Sequence, residues 1–422
     1  LSVYPFANRK KDPGLTTISV KPDELTLPLY DRYGVRDRNG KMTCSTCHET
    51  HRLPQDSAAA KSRGKATPGQ SLLRKRSPAI CAECHRDKFE IENSNHNLSK
   101  SAPTTRNILN QLPSESGLCG SCHMVHGSHK GFLWAREINS GDDVATRSLC
   151  ITCHNATGIA KKKVNKGYSH PIDIAPGEKG LSSLLPLFDK SGQLSKKGAM
   201  RCHTCHDPHR WQADSTKNAK GKIPAVDSTN GTTFLRKPAP QICGDCHQDK
   251  FYIVNSKHDL SKVAPEAKNL KNQTPVQAGL CGNCHLAHNA QKDFLWARKI
   301  TTKRDNVVEG LCVDCHNEKG LAKESLIQGY SHPMQISVSD KDMRTSLPLF
   351  DPNGKAIANG VIACPTCHDP HRWDPLKAAD ADQFKLKGTS QNSFLRLANS
   401  PASGLCENCH AEQAIVQKTD HD

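Results

Sequence analysis

All 20 cysteines of this 422-residue chain lie in one five-residue pattern, Cys-x-x-Cys-His, which occurs ten times. Positions i and i+3 of a helical turn lie on the same side, so both thiols of a motif can reach one group. The next residue brings an imidazole, which binds transition metals. The cysteines are Cys44, Cys47, Cys81, Cys84, Cys119, Cys122, Cys150, Cys153, Cys202, Cys205, Cys243, Cys246, Cys281, Cys284, Cys312, Cys315, Cys364, Cys367, Cys406 and Cys409. The histidines that follow them are His48, His85, His123, His154, His206, His247, His285, His316, His368 and His410.

This pattern is the attachment signature of c-type haem, in which the two thiols bond one porphyrin and the histidine binds its iron. Zinc and iron–sulfur sites built from Cys-x-x-Cys pairs need no histidine at the fifth position. Histidine follows all ten pairs and no cysteine is left over. We therefore predict ten covalently bound c-type haems, each with its motif histidine as the proximal iron ligand.

A long repeat orders the motifs. Cys81 and Cys243 are 162 residues apart, as are Cys119 and Cys281, and the segment Phe-Leu-Trp-Ala-Arg at 132–136 recurs at 294–298. The repeat contains two unlike motif pairs, an A pair and then a B pair, and their order along the chain is A–B–A–B–A. This predicts two and a half tandem four-haem modules. The expected domains are 1–178 with an N-terminal linker, 179–340, and a two-haem half module at 341–422.

The remaining twelve of the 22 histidines include ten at repeated positions. They lie three residues after the first motif histidine of a pair, eleven residues after the second motif histidine of an A pair, or within Gly-Tyr-Ser-His-Pro. We predict these ten as distal iron ligands, while His129 and His203 fall outside the pattern. The predicted distal ligands are His51, His96, His126, His170, His209, His258, His288, His332, His371 and His421.

In the five Cys-His-x-x-His segments, the two histidines are too close along the chain to reach opposite faces of one porphyrin. His48 and His51 are one example. Each second histidine is therefore expected to bind the iron of a neighbouring haem. The sequence does not determine which neighbouring haem each of these histidines binds.

The elements that position these motifs are expected to be short. The repeated Leu-Pro-Leu-(Tyr/Phe)-Asp segments lead through glycine-containing turns into the first motif of each A pair, which predicts small hairpins. Residues 247–261 predict a helix that continues from the motif, with 85–99 and 410–422 as its equivalents.

The composition points to haem as the interior. Only 35% of residues are hydrophobic and 5% aromatic, which is too little apolar surface to offset the conformational entropy of so long a chain. We predict a haem-cored multihaem cytochrome c fold of mostly irregular coil, with short α-helices at the motifs and a few small β-hairpins. The apoprotein is expected to be largely unfolded.

The charge and the hydropathy exclude two other classes of protein. The formal charge of +16 is typical of nucleic-acid binding, but ten ferric haems with their propionates contribute roughly −10, so no nucleic-acid partner is expected. No apolar stretch approaches the roughly 20 residues of a membrane span. The chain starts at Leu1 rather than methionine, which we interpret as removal of a signal peptide. Export is therefore expected, to the cell surface or the medium, or alternatively to the periplasm.

The doubled motifs resemble those of multihaem c-type cytochromes of respiratory and extracellular electron transfer. Within that group the chain looks most like extracellular cytochromes that polymerise into filaments, the cytochrome nanowires. It differs from transmembrane-conduit decahaem cytochromes, whose motifs are usually packed more tightly than the spacing of 31 to 52 residues here. The resemblance implies bis-histidine haems of low potential that carry electrons along a series.

The predicted function is electron transfer along ten bis-histidine haems in an extracellular filament. We expect no enzymatic activity and no catalytic residue, because the supply of histidines equals the demand and no Cys-x-x-Cys-Lys motif occurs. The alternatives are a monomeric periplasmic electron carrier and a multihaem reductase with one open haem site. The expected partners are further copies of the chain in head-to-tail contact, other redox proteins and extracellular electron acceptors.

Overall fold

The computed structural model describes residues 4–5, 20–51, 72–128, 132–137, 145–210, 234–291, 293–300, 306–326, 330–338, 345–374, 387–399 and 403–416. Two of the histidines named above, His129 and His421, lie outside these residues. Most of the described chain is irregular coil with short helices and one two-stranded sheet, as the composition predicts.

Twelve α-helices occur in the described part of the chain, and none exceeds eight residues. Ten of them, all except α3 and α8, include cysteines of a Cys-x-x-Cys-His motif. They are α1 Cys44–Cys47, α2 Ala79–Ala82, α3 Leu98–Ser101, α4 Pro113–Gly120, α5 Ala145–Ile151, α6 Cys202–Cys205, α7 Gln241–Gly244, α8 Leu260–Val263, α9 Pro275–Gly282, α10 Val307–Val313, α11 Cys364–Cys367 and α12 Gly404–Glu407.

A threonine stabilises the single-turn helices at the first motif of each A pair. In α6, the buried Thr204 hydroxyl accepts a hydrogen bond from the backbone N–H of Arg201 at 2.9 Å, and Thr46 and Thr366 act in the same way. This satisfies one of the donors that a helix start leaves without a partner. At the other end, the His206 N–H donates to the carbonyl of Cys202. The motif thus forms one closed helical turn.

The three predicted hairpins are present in front of these motifs. Antiparallel bridges join Tyr30 to Lys41 and Phe188 to Ala199. The third hairpin contains strands β1 Leu349–Phe350 and β2 Ala356–Ile357, which are antiparallel with Leu349 opposite Ile357. In every turn the aspartate that follows the aromatic residue accepts a backbone N–H four residues later, as in the 2.8 Å bond from Lys355 to Asp351.

The helix predicted over residues 247–261 is wrong. A 3₁₀ helix covers Gln248–Ile253, the chain then takes a left-handed conformation at Asn255 with φ 57°, and α8 follows. The Asp259 side chain accepts the N–H of Ser261 and so begins α8 as a separate helix. The equivalent segments also begin with 3₁₀ helices, at Arg86–Asn93 and Ala411–Val416.

Four further short 3₁₀ helices occur in the described residues. They lie at Lys161–Lys163, Pro176–Lys179, Asp293–Leu295 and Lys323–Ser325.

The chain divides into two compact units. One comprises Leu1–Val164 and Pro171–Pro238, and the other comprises Asn165–His170 and Ala239–Asp422. These units do not follow the boundaries of the sequence repeat, so the three-module division stays a prediction.

The apolar clusters inside the second unit are small. One contains Leu286, Ala290 and Ala297, and another contains Val338, Leu349 and Ile362. Among the described residues, no helix is both long and apolar enough to cross a membrane.

Candidate metal centres

Seven pairs of histidine rings face each other at nearly the same distance. Each pair joins a motif histidine to one of the predicted distal histidines, and the ring centroids are 6.0 to 6.3 Å apart. The pairs, with the motif histidine first, are His48 with His126, His123 with His209, His154 with His96, His247 with His170, His285 with His371, His316 with His258, and His410 with His332.

This distance fits one iron between two imidazoles. A metal lies about 2 Å from a ligating histidine nitrogen, and the centre of the ring lies roughly 1 Å further, so two ligands on opposite sides have centroids about 6 Å apart. Direct stacking of the rings would bring them closer, since stacked aromatic pairs often approach to about 4.5 Å. The residues present therefore fit a c-type haem whose iron is bound by two histidines.

The outer nitrogen, Nδ1, makes a hydrogen bond in many of the paired rings. The Nδ1 of His123 lies 2.7 Å from the carbonyl oxygen of Phe132, and the Nδ1 of His96 lies 3.0 Å from that of Pro208. The equivalent contacts in the second half join His285 to Phe294 and His258 to Pro370. An Nδ1–H that donates outward orients the ring and leaves Nε2 for a metal.

Two distal histidines have a carboxylate instead of a carbonyl at Nδ1. His209 Nδ1 lies 3.1 Å from Asp207 Oδ1, and His371 Nδ1 lies 3.0 Å from Asp369 Oδ1. Burial acts to raise the pKa of Asp207, but the hydrogen bond from His209 and nearby positive charges outweigh it, so the pKa falls well below its usual range. The pKa of Asp369 is lowered in the same way. Both carboxylates are ionised at neutral pH.

The half-buried distal rings of His96 and His258 are neutral. Loss of hydration lowers the pKa of His96 and of His258 to about 4, because the charged imidazolium is poorly solvated in the interior. Aromatic rings cover both histidines, with Phe234 4.0 Å from His96 and Phe394 4.1 Å from His258 between centroids. A neutral imidazole is the form that binds a metal.

The seven pairs fall into two classes by ring orientation. The angle between the two ring planes is 16 to 26° where the motif histidine belongs to the first motif of an A or B pair, at His48, His123 and His285. The angle is 64 to 80° where the motif histidine belongs to the second motif of a pair, at His154, His247, His316 and His410.

Consecutive motifs lie next to each other within each unit. The sulfur atoms of Cys81 and Cys119 lie close together, as do those of Cys150 and Cys202 in the first unit. The second unit repeats this with Cys243 and Cys281, and with Cys312 and Cys364. At these four places, the attachment points of two successive motifs thus lie close together.

Some predicted ligands have no such arrangement. His51 is 93% exposed, and its Nδ1 lies 3.7 Å from Glu49. Within the described residues, no second histidine ring faces His85 or His368 at the spacing of the pairs, although the Nδ1 of His368 lies 3.1 Å from the Ser393 carbonyl.

Two more of the predicted ligands, His206 and His288, lie in the described residues. His206 follows α6 and forms a backbone bridge to Leu235, and His288 is half-buried.

Aromatic rings pack against two kinds of histidine. Trp134 and Trp296 pack edge-on against the motif histidines His123 and His285, with centroids 6.0 and 6.1 Å apart. His203, which lies outside the repeat pattern, is packed against Phe188, with ring centroids 3.5 Å apart.

The threonines of α1, α6 and α11 and the aspartates of the distal turns were not anticipated. The repeated Cys-x-Thr-Cys-His and Cys-His-Asp-Pro-His segments carried the signal for both.

Comparisons with known proteins place these motifs among multihaem cytochromes. The doubled CXXCH motif family matches residues 112–159 and 274–321, which are the two B pairs. The chain is 24% identical over 272 residues to the multiheme cytochrome MtrA of Shewanella baltica, covering 62% of this chain and 65% of that protein. It is also 24% identical over 230 residues to the dissimilatory sulfite reductase MccA of Wolinella succinogenes, covering 51% of this chain and 28% of that protein. The chain thus spans less than two thirds of either relative, and no solved structure matches it.

The similarity to a sulfite reductase contradicts our expectation that the chain has no enzymatic activity. That expectation rested on equal numbers of histidines and motifs and on the lack of a Cys-x-x-Cys-Lys motif, and such counts do not exclude an open position at one iron.

The facing histidine pairs fit iron held between two imidazoles, and the doubled motifs and the distant relatives point to one class of protein. They support a multihaem c-type cytochrome with covalently bound haem that transfers electrons.

Proposed function

We propose that the chain conducts electrons along a series of ten c-type haems, one at each Cys-x-x-Cys-His motif. The observation that carries this proposal is the set of seven facing histidine pairs. Haem iron held by two histidines exchanges single electrons without an open position for a substrate. The protein contributes the ring orientation, the Nδ1 acceptors and the exclusion of water.

Continuity of the series is supported by the way the pairs connect motifs. In each pair, the distal histidine belongs to a different motif neighbourhood from the proximal one, as His209, which follows the motif of His206, faces His123. Each pair therefore ties two motifs together. The sulfur atoms of different motifs also lie close together, as those of Cys81 and Cys119 do, so the attachment points of these motifs are adjacent.

We further propose that copies of the chain assemble head to tail into an extracellular filament. His209 and His371 face histidines of the preceding B pair, and His51 holds the same repeat position but is exposed. His247 faces His170 of the preceding B pair, whereas no described histidine faces His85.

In the first A pair, His51 is thus a distal ligand without an iron, and the iron at His85 is without a distal ligand among the described residues. In the last A pair, His421 is the corresponding distal ligand by the sequence repeat, and the iron at His368 is likewise without a described distal ligand. A head-to-tail contact that does not close on itself would let each end complete the other and would build a fibre.

Export follows from the proposed cofactor, because c-type haem is attached outside the cytoplasmic membrane. Other redox proteins and extracellular electron acceptors are then the expected partners.

Electron microscopy of the purified holoprotein tests assembly. We expect filaments that are lost in His51→Ala and retained in His129→Ala, which changes a histidine outside the repeat pattern. A stable monomer at every concentration would instead favour the monomeric periplasmic carrier.

A reductase is the second candidate, and the position of His85 favours it. If no copy or further segment supplies a second ligand, the iron at His85 keeps an open position, and the similarity to a sulfite reductase makes sulfite the first compound to test. We then expect a high-spin EPR signal that sulfite perturbs. That signal should vanish in Cys81→Ala/Cys84→Ala, which removes the attachment site. A fully low-spin spectrum, unchanged by sulfite, would argue against this candidate.

A further inference from the structure

Two distal histidines, His209 and His371, donate their Nδ1–H to an aspartate carboxylate. Asp207 Oδ1 accepts both the backbone N–H of His209 at 3.1 Å and its Nδ1–H at 3.1 Å. Asp369 accepts the same two bonds from His371 at 3.1 and 3.0 Å. Elsewhere among the paired rings, the Nδ1 contacts that the structure describes are to carbonyl oxygens, as for His96 and His258.

The carboxylates are held in place from the far side. Arg236 lies 3.7 Å from Asp207, and Arg396 lies 3.9 Å from Asp369. The Asp207 and Asp369 side chains are 17% and 19% exposed, so water competes little for their oxygens. The Asp-Pro-His turn therefore presents a fixed negative charge to the ring.

The chain contains its own comparison for this arrangement. His126 faces a motif histidine with similarly parallel rings, at 26°, but Met124 occupies the position of the aspartate. Two residues before His51, the position of the aspartate is occupied by Glu49. Its carboxylate lies 3.7 Å from the exposed ring of His51, which is too far for a hydrogen bond. The same ligand position thus occurs with and without a bonded carboxylate.

We propose that Asp207 and Asp369 are positioning residues that lower the reduction potentials of the irons held by His123 with His209 and by His285 with His371. The iron held by His48 with His126 has the higher potential of the three. This inference rests on the ligand roles given under the proposed function.

The physical reason is the charge of the oxidised iron. A carboxylate that draws the Nδ1 proton makes the imidazole a stronger electron donor. Both the stronger ligand and the nearby negative charge favour the ferric state, which carries one more positive charge than the ferrous state. Arg236 and Arg396 reduce the net charge at the site, but they leave the hydrogen bond to the ring in place.

His123 and His285 occupy the same position of the sequence repeat. Low-potential sites therefore recur at matching places along the series, and electrons pass between them over sites of higher potential.

The test is a potentiometric titration of the holoprotein, followed by visible absorption and EPR. In Asp207→Asn we expect one haem to become easier to reduce, by on the order of tenfold in the ferric-to-ferrous balance, or about 59 mV for a one-electron couple. Asp369→Asn is expected to shift a different single haem by a similar amount. Met124→Leu, at the same position beside the paired His126 but without a carboxylate, is the matched control and is expected to shift none.

The outcomes separate this inference from the proposed function. A titration unchanged in both aspartate variants, with every haem still low-spin, overturns the tuning role and leaves the ligand roles intact. A new high-spin haem in Asp207→Asn also overturns tuning, since the aspartate would then only hold His209 in place. If His209→Ala itself leaves all haems low-spin, the ligand roles fail as well.

Discussion

The ligand rings are oriented by atoms on their outer side. Carbonyl oxygens such as that of Phe132, and carboxylates such as Asp207, accept the Nδ1–H and direct Nε2 inward. Packing adds to this, because Trp134 lies edge-on to His123. The polypeptide therefore contributes to the orientation of the ligand rings through these contacts.

Replacing a distal histidine tests the facing pairs directly. In His209→Ala we expect one haem to become five-coordinate and high-spin, because the iron at His123 loses the ring that faces it. The new EPR signal should disappear when Cys119 and Cys122 are also replaced by alanine, since that haem is then not attached. A signal that persists in the combined variant would mean that His209 serves another iron. His203→Gln, at a ring packed on Phe188, is the control and should stay low-spin.

The elements that carry the ligands are single turns and tight hairpins, and backbone contacts hold them. Gly198 ends the hairpin that precedes α6, and a Cβ atom at this residue would lie 2.5 Å from the backbone nitrogen of Phe188. A Cβ atom at Gly40 would lie similarly close to the backbone of Tyr30, and one at Gly360 to the backbone of Phe350. Only glycine fits where the returning strand crosses so closely.

Gly198→Ala is therefore expected to lower the free energy of unfolding of the holoprotein by about 1–3 kcal/mol, the usual cost of forcing extra atoms into a packed site. Denaturant titration of the holoprotein measures this. Gly177→Ala is the control, because its Cβ would meet nothing within 4 Å, and we expect a change within about 0.5 kcal/mol. Equal effects of the two substitutions would contradict the steric explanation.

The segment that supplies the distal histidine also determines the ring orientation. Turns directly after a motif, such as that of His209, give nearly parallel planes, whereas the segments of His96 and His170 give steep angles. The angle between two axial imidazoles changes the splitting of the iron d orbitals. Parallel planes give a rhombic low-spin EPR spectrum, and crossed planes give a strongly anisotropic spectrum with a larger maximum g value.

Among the seven paired sites we therefore expect both EPR signal types in the oxidised holoprotein, from three irons of the first kind and four of the second. His96→Ala should remove intensity from the anisotropic signal alone, since His96 belongs to a pair with planes 67° apart. A spectrum of one type only would show that the rings turn when iron is bound.

At the scale of the whole molecule, each compact unit has few buried apolar side chains of its own. Phe188 and Val20 are among the largest fully buried residues of the first unit, and the clusters of the second contain about three residues each. So little apolar burial cannot offset the entropy of ordering each unit. Covalently attached porphyrins supply the missing interior surface.

We accordingly expect the chain made without haem attachment to lose most of its secondary structure. Far-UV circular dichroism of the apoprotein and the holoprotein, with thermal unfolding of each, measures this. The holoprotein should unfold cooperatively, and the apoprotein should show no transition. A cooperative transition in the apoprotein with the native helical signal would mean that the polypeptide folds around its own small clusters.

Local spacing was enough to predict much of this protein. The helical turn at each motif and the hairpins at Tyr30, Phe188 and Phe350 follow from contacts within a few residues, which the sequence encodes directly. The predicted helix over 247–261 was wrong because the left-handed Asn255 and the Asp259 cap interrupt a segment whose apolar pattern looks continuous.

Tertiary structure alone decided which histidine faces which. His209 follows the motif of His206, yet it faces His123 of an earlier motif, because the path of the chain between them brings those rings together. The angle between the rings and the carboxylate at Nδ1 depend on the same path. Spacing along a sequence determines which atoms share a helical turn, but contacts between distant segments form only through the packing of the whole unit.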